Sequence, residues 1–324
     1  MESAAPSISV LEPVSPAIEK TKSILFQPFD LKKWGIFGFC AWLAMLGGGG
    51  GGGSGRFRVP RGGGAGAEAA QVKAWLGANV YWLAPAVLVL GLFIVAVCLL
   101  LLWLRSRGKF MFLHCVATNR AEVAAPWQTF AAQGNSLFLF KLALGAVSML
   151  CILPLIGLLV FSIWLVSEAE IVIGGVVLIA LAVLLVIFAC VVFGIITKFT
   201  HDFVVPIMAL RRCRTMIAWR EFAEILKAGK GRFVLYLLFQ LLIAFVIGSI
   251  TSILTIMTCC FCFTLCIPFV GTYIAAVIFL PLTTFARSYS LLYLAQYGPA
   301  YDVFGAAAPV IAQEAGEFVA GNGI

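Results

Sequence analysis

Apolar runs alternate with short polar intervals along most of the chain, and the apolar runs set the element count. Five of them, at about 82–104, 137–166, 171–196, 233–257 and 264–286, are nearly free of charge. A helix needs about 20 such residues to cross the hydrocarbon core of a bilayer, so each reads as a transmembrane helix. A sixth apolar run begins at Trp34 and enters the glycines Gly47–Gly53. As a helix its apolar part reaches only about 20 Å, so it is read as a short span over 34–53 that borrows length from the glycines, with a re-entrant half-span as the alternative.

The polar intervals carry a second pattern. Met216, Trp219, Phe222, Ala223 and Leu226 recur at helical spacing, while Arg220, Glu221, Glu224 and Lys227 lie mostly off that stripe. This predicts an amphipathic helix, either lying in the headgroup plane or packed on the ends of the spans. Near the N-terminus Ser15-Pro16 reads as a helix start, with Ile18, Leu25 and Phe29 free to face lipid.

An aromatic, then Gln or Arg, then any residue, then Phe recurs as Phe26-Gln27-Pro28-Phe29, Trp127-Gln128-Thr129-Phe130 and Trp219-Arg220-Glu221-Phe222. Each copy precedes a pair of spans. The predicted fold is therefore all-α: six transmembrane helices as three helical-hairpin repeats, with cytoplasmic interfacial amphipathic helices. Residues 1–33 form the N-terminal cytoplasmic segment, 34–304 the membrane domain, 47–75 a glycine-rich outer loop and 305–324 a flexible cytoplasmic tail.

Composition narrows the class. The chain has 324 residues, 62% hydrophobic and 11% charged. A soluble domain carries about 25% charged residues, because its outside must be covered with polar groups. An ordinary soluble enzyme, a disordered chain and a nucleic-acid-binding domain are excluded. The net charge of +8 adds an orientation. With the N-terminus inside, every Lys and Arg falls on the inner side except Arg56, Arg58, Arg61 and Lys73. That asymmetry predicts a multi-pass protein of a bacterial or archaeal cytoplasmic membrane with both termini cytoplasmic.

Asp202-Phe203-Val204-Val205-Pro206-Ile207-Met208, then Ala218-Trp219-Arg220-Glu221-Phe222 and the following hairpin, carry a resemblance, as does the tail around Gln296-Tyr297-Gly298-Pro299. They resemble prokaryotic membrane proteins similar to the membrane domain of glycerophosphoryl diester phosphodiesterases. In those enzymes the chemistry belongs to a separate soluble barrel, and no segment here is long and polar enough to be one. The resemblance implies a membrane component without the hydrolase activity.

Candidate chemistry is sparse. His201-Asp202 follows the fourth span and is a candidate polar site, since ionisable groups at membrane depth are functional candidates by default. Sequence neighbours do not share a helix face, which argues against one joint site. Thr251, Ser252, Thr255 and Thr258 give the fifth span a hydroxyl face, read either as a polar path or as close packing with hydroxyls bonded to the preceding turn. Arg211, Arg212, Arg214, Lys227, Lys230 and Arg232 are candidate contacts for lipid headgroups. Phe285, Tyr289, Tyr293 and Tyr297 step by four and read as an interfacial aromatic belt or a subunit contact. Cys259, Cys260, Cys262 and Cys266 include one C-x-x-C spacing but no nearby His, and are read as apolar filler rather than as a metal set or a disulfide.

The expectation is a non-enzymatic integral membrane protein that organises lipid or partners. It needs no cofactor, metal or nucleic acid, binds anionic headgroups on the cytoplasmic side, and forms a homo-oligomer. The alternatives are a small-solute transporter or channel, and then a membrane enzyme acting on lipid.

Overall fold

The structure, a computed structural model, describes residues 8–46, 65–167, 172–257 and 268–305. Every element among them is helical. In chain order these are α1 (Val14–Phe26), α2 (Leu31–Met45), α3 (Ala65–Thr118), α4 (Ala124–Thr129), α5 (Ala131–Ser167) and α6 (Val172–Phe199). After a π-helical turn (Thr200–Val204) come α7 (Val205–Arg211), α8 (Thr215–Ala228), α9 (Lys230–Met257), α10 (Pro268–Ile278), α11 (Leu280–Ala295) and a 3-10 turn (Pro299–Tyr301).

Among the described residues four stretches are long and apolar enough to cross a membrane: Tyr81–Thr118, Ala131–Ser167, Ile173–Arg211 and Lys230–Ile253. A fifth exists if the bent pair Gly271–Ile278 and Leu280–Ala295 counts as one span. The pair bends by 59°. Pro281 supplies the reason, because it cannot donate to the helix ladder, and Phe279 O instead receives both Leu282 N and Thr283 N at 3.1 Å. The protein is thus an all-α, multi-pass membrane protein. Its helices also run past the apolar stretches that predicted them: α3 continues unbroken through Arg105–Thr118, and α6 passes through the π-turn into α7.

That overrun positions the core. Buried residues cluster where the long helices share one end: Phe110–Val116 of α3, Phe199–Ala209, Phe233 and Tyr236 of α9, and Tyr289–Leu294 of α11, closed by Leu25 of α1 and Phe222 of α8. We call this the collar. Away from it α5 and α6 stay packed on each other, burying Ser162 and Ala182, but most side chains face outward. The most apolar stretch of α3 buries none of its residues, and Leu88, Phe93, Leu184, Phe188, Leu241 and Phe245 are all exposed. In water such a surface would be prohibitive; against lipid tails it is the expected one.

Several expectations shift here. Leu25 faces the core, while Ile18 and Phe29 stay exposed. Pro13 rather than Ser15 stands before α1, and no side chain caps it. Tyr289 and Tyr293 are fully buried, so the aromatic stripe is core, not an interfacial belt. Their hydroxyls donate to Val10 O (2.9 Å) and Arg232 O (3.2 Å), tying both the N-terminal segment and the start of α9 to α11.

The sixth run behaves differently from the others. Asp30 caps α2 through its Oδ1, which accepts Lys32 N at 2.8 Å. From there α2 runs antiparallel to the end of α3. Lys33 Nζ meets Asn119 Oδ1 at 2.7 Å, and Arg105 Nε meets Ala44 O at 3.3 Å. The described part of the 34–53 run therefore packs in the collar, beside the stretch that follows the apolar run of α3. The rest of that run, the glycine-rich loop up to 64 and the tail beyond 305 lie outside the described residues.

Gly108 permits this approach. A Cβ there would stand 2.7 Å from the Leu43 carbonyl carbon and 2.8 Å from Ala44 N, both backbone atoms that cannot swing aside. Gly108→Ala should displace α2 and cost about 1–3 kcal/mol of stability, as overpacking does. The check is the thermal midpoint of the purified protein in detergent, where an unchanged midpoint would contradict the packing.

Candidate functional site

Asp202 sits inside the collar with 2% of its surface exposed. The local backbone puts it there. In the π-turn the Val205 N–H reaches Thr200 O, five residues back. The same register would pair residue 206 with His201 O, but Pro206 has no N–H to give. The orphaned carbonyl is filled from outside: Arg287 Nη1 donates to His201 O at 2.7 Å. π-turns widen the helix and often mark functional sites.

This widened turn changes what neighbours can do. His201 Nδ1 lies 2.9 Å from Asp202 Oδ1, so the adjacent pair does form one unit, contrary to the helix-face expectation. Asp202 Oδ2 accepts from Lys198 Nζ at 3.0 Å and from Tyr236 OH at 3.0 Å. Gln240 Nε2 in turn donates to Tyr236 OH at 2.9 Å. Both carboxylate oxygens are therefore occupied, by α6, the π-turn and α9. A buried carboxylate held this way is a structural clamp.

The surroundings of the clamp are cationic. Lys109 and Arg287 are 5% and 3% exposed, and Arg105 and Lys141 are half-buried beside them. Sequence reasoning missed these four as a group. They stand on three helices, and each taken alone looks like a membrane-edge lysine or arginine.

The other candidates disperse. Arg211 Nη2 pairs with Glu221 Oε1 at 3.2 Å, and Arg212 Nη1 donates to Thr129 O at 3.1 Å while its guanidinium covers the Phe130 ring at 4.6 Å. Both pin loops together. Arg214, Lys227, Lys230 and Arg232 are exposed. Glu221 also accepts from Tyr301 OH at 2.9 Å; burial and this bond push the Tyr301 phenol up. Burial and the Glu221 carboxylate push the Cys213 thiol up as well. Thr251 Oγ1 donates to Ile247 O at 2.7 Å, one turn back, which is the packing arrangement of a membrane hydroxyl. Ser252 lines a shallow outward-facing groove with Gly248 and Phe245. The Thr255 side chain, Thr258 and the four cysteines from Cys259 to Cys266 lie outside the described residues.

Residues 8–275 match a family of unknown function, DUF7544. No curated protein and no solved structure matches the chain.

Proposed function

The chain belongs to the DUF7544 family, and we propose that it is a non-enzymatic membrane component that gathers anionic lipid around its collar. The observation that carries this reading is the outer edge of α1 and α8. Each helix buries one side in the collar, through Ala17, Ile24 and Leu25 or through Ala218 and Phe222. Each leaves large apolar side chains outside: Ile18 and Phe26, or Met216 and Ile217. Exposed basic residues stand beside them, Lys22 on α1 and Arg220 and Lys227 on α8. An apolar ridge next to basic groups suits the boundary between acyl chains and anionic headgroups, where each basic residue contributes about 1 kcal/mol.

The reading places the collar and both termini on the cytoplasmic side. It also keeps six crossings. α3 and α9 each have one end in the collar and the other far from it, while α1, α2 and α11 lie in the collar, which supports that count. The uncovered faces of the long helices leave room for lateral contact with lipid and with further copies of the chain.

The test is lipid co-purification. The protein is extracted from liposomes holding equal parts of phosphatidylglycerol and phosphatidylcholine, and the retained lipid is weighed by native mass spectrometry. Enrichment of phosphatidylglycerol is expected, reduced by Lys227→Glu, Lys230→Glu and Arg232→Glu together. Retained lipid of bulk composition on a strictly monomeric protein would overturn the reading.

A further inference from the structure

The charges inside the collar do not balance. The charges that bear most on Lys109 are positive: Lys141, Arg105 and Arg287. Lys109 and Lys141 are close enough to hydrogen-bond, and Lys141 Nζ also reaches Ser106 Oγ at 3.5 Å. Two ammonium groups in that position repel unless one gives up its proton or an anion lies between them. Asp202 is the carboxylate within range of Arg287, and both of its oxygens are already taken.

Arg287 shows where a ligand would sit. Its Nη1 is satisfied by His201 O, but its Nε and Nη2, both buried, have no partner. These two nitrogens form the side-on fork of a guanidinium, the edge that grips two oxygens of one oxyanion at once. Thr284 Oγ1, one turn earlier on α11, is likewise buried without a partner. An empty buried fork beside two buried or half-buried lysines is costly as it stands, because an unpaired interior charge is among the most destabilising features a fold can carry.

We propose that Arg287, Lys109, Lys141 and Arg105 form an internal site for a phosphate-type oxyanion. A tetrahedral group with one or two negative charges answers the fork with two oxygens and leaves others for the lysines. Chloride, a single point, would leave the fork half used. Arg105 on α3 and Lys141 on α5 are half-exposed and form the rim of the site. Basic pockets between membrane helices at this depth take headgroup phosphates. The same chemistry accepts free phosphate. The site is inside the collar and independent of the outer edge of α1 and α8.

The experiment uses the full-length protein, delipidated in neutral detergent and phosphate-free buffer. Its melting midpoint is followed against inorganic phosphate, against chloride at equal ionic strength, and against phosphatidic acid or phosphatidylcholine in mixed micelles. A saturable rise with phosphate assigns a free anion, and a rise with phosphatidic acid alone assigns a lipid headgroup. Lys141→Gln, at the half-exposed rim, should weaken the response about tenfold. Lys109→Met should abolish it while leaving the anion-free midpoint equal to or above that of the wild type, because it removes an uncompensated charge. The triple variant Lys227→Glu, Lys230→Glu, Arg232→Glu should keep the response, which separates this site from the collar edge. No rise with either phosphate source, or an equal rise in Lys109→Met, would overturn the proposal.

Discussion

Asp202→Ala is expected to lower the stability of the protein by about 3 kcal/mol, one of the two largest effects of any single side-chain change here. The carboxylate is the common acceptor for Lys198, His201 and Tyr236. Its removal leaves the Tyr236 hydroxyl buried with one partner fewer, Lys198 without its counter-charge and His201 Nδ1 without its partner. The Lys198 side chain is 42% exposed and can turn outward, which moderates the loss. Asp202→Asn keeps an acceptor for Tyr236 and should cost less than half as much. Unfolding by graded detergent denaturation, followed by far-ultraviolet circular dichroism, gives the ranking wild type, Asn, Ala. An Ala variant as stable as the wild type would show that the knot does not hold the collar.

Phe203→Ala should cost about 3–5 kcal/mol through the cavity it leaves. Phe203 is fully buried at the meeting point of four elements. Its ring stacks on Phe222 at 5.1 Å between centroids and an interplanar angle of 10°. It also meets Phe233 at 5.4 Å and Tyr236 at 5.0 Å. These partners belong to α8 and α9, so truncation loosens α8 from the bundle as well as emptying a ring-sized space. Phe245→Ala is the control. Phe245 is 72% exposed on the apolar flank of α9, and its removal should leave the midpoint nearly unchanged in detergent. If the two variants lose stability equally, the collar is not the core.

Which parts of this were legible in the sequence follows from the physics of each signal. Span-length apolar runs are averages over many residues, so α3, α5, α6 and α9 could be read from hydropathy alone. The amphipathic stripe of α8 was legible too. Phe222 points inward as its spacing implied, although Met216 on the same predicted stripe is exposed. Helix ends were harder, because the collar continues helices through charged residues such as Arg105 and Lys109, which hydropathy treats as boundaries. The tyrosine stripe of α11 was seen but placed wrongly. Spacing shows that Tyr289 and Tyr293 share a face, and only the bend at Pro281 shows that the face turns inward. Asp202 was a candidate from its position, yet its knot depends on the π-turn. Val205-Pro206, part of the motif that carried the family resemblance, was the available signal for that turn. The Lys109, Lys141 and Arg287 grouping left no local trace, since three separate helices supply it.

Because the described helices are joined firmly at the collar and expose their faces elsewhere, the two leaflets meet different objects. One side is a compact plug with buried polar bonds; the other presents long apolar helices, of which α5 and α6 stay paired through Ser162, Val166, Gly175 and Ala182. Ala131–Ser167 has 37 residues, about 55 Å as a helix, against a hydrocarbon core of about 30 Å. Because α3 and α6 run unbroken into the collar, a mismatch of thickness is met by tilting the molecule as a whole, at fractions of a kcal/mol per Å.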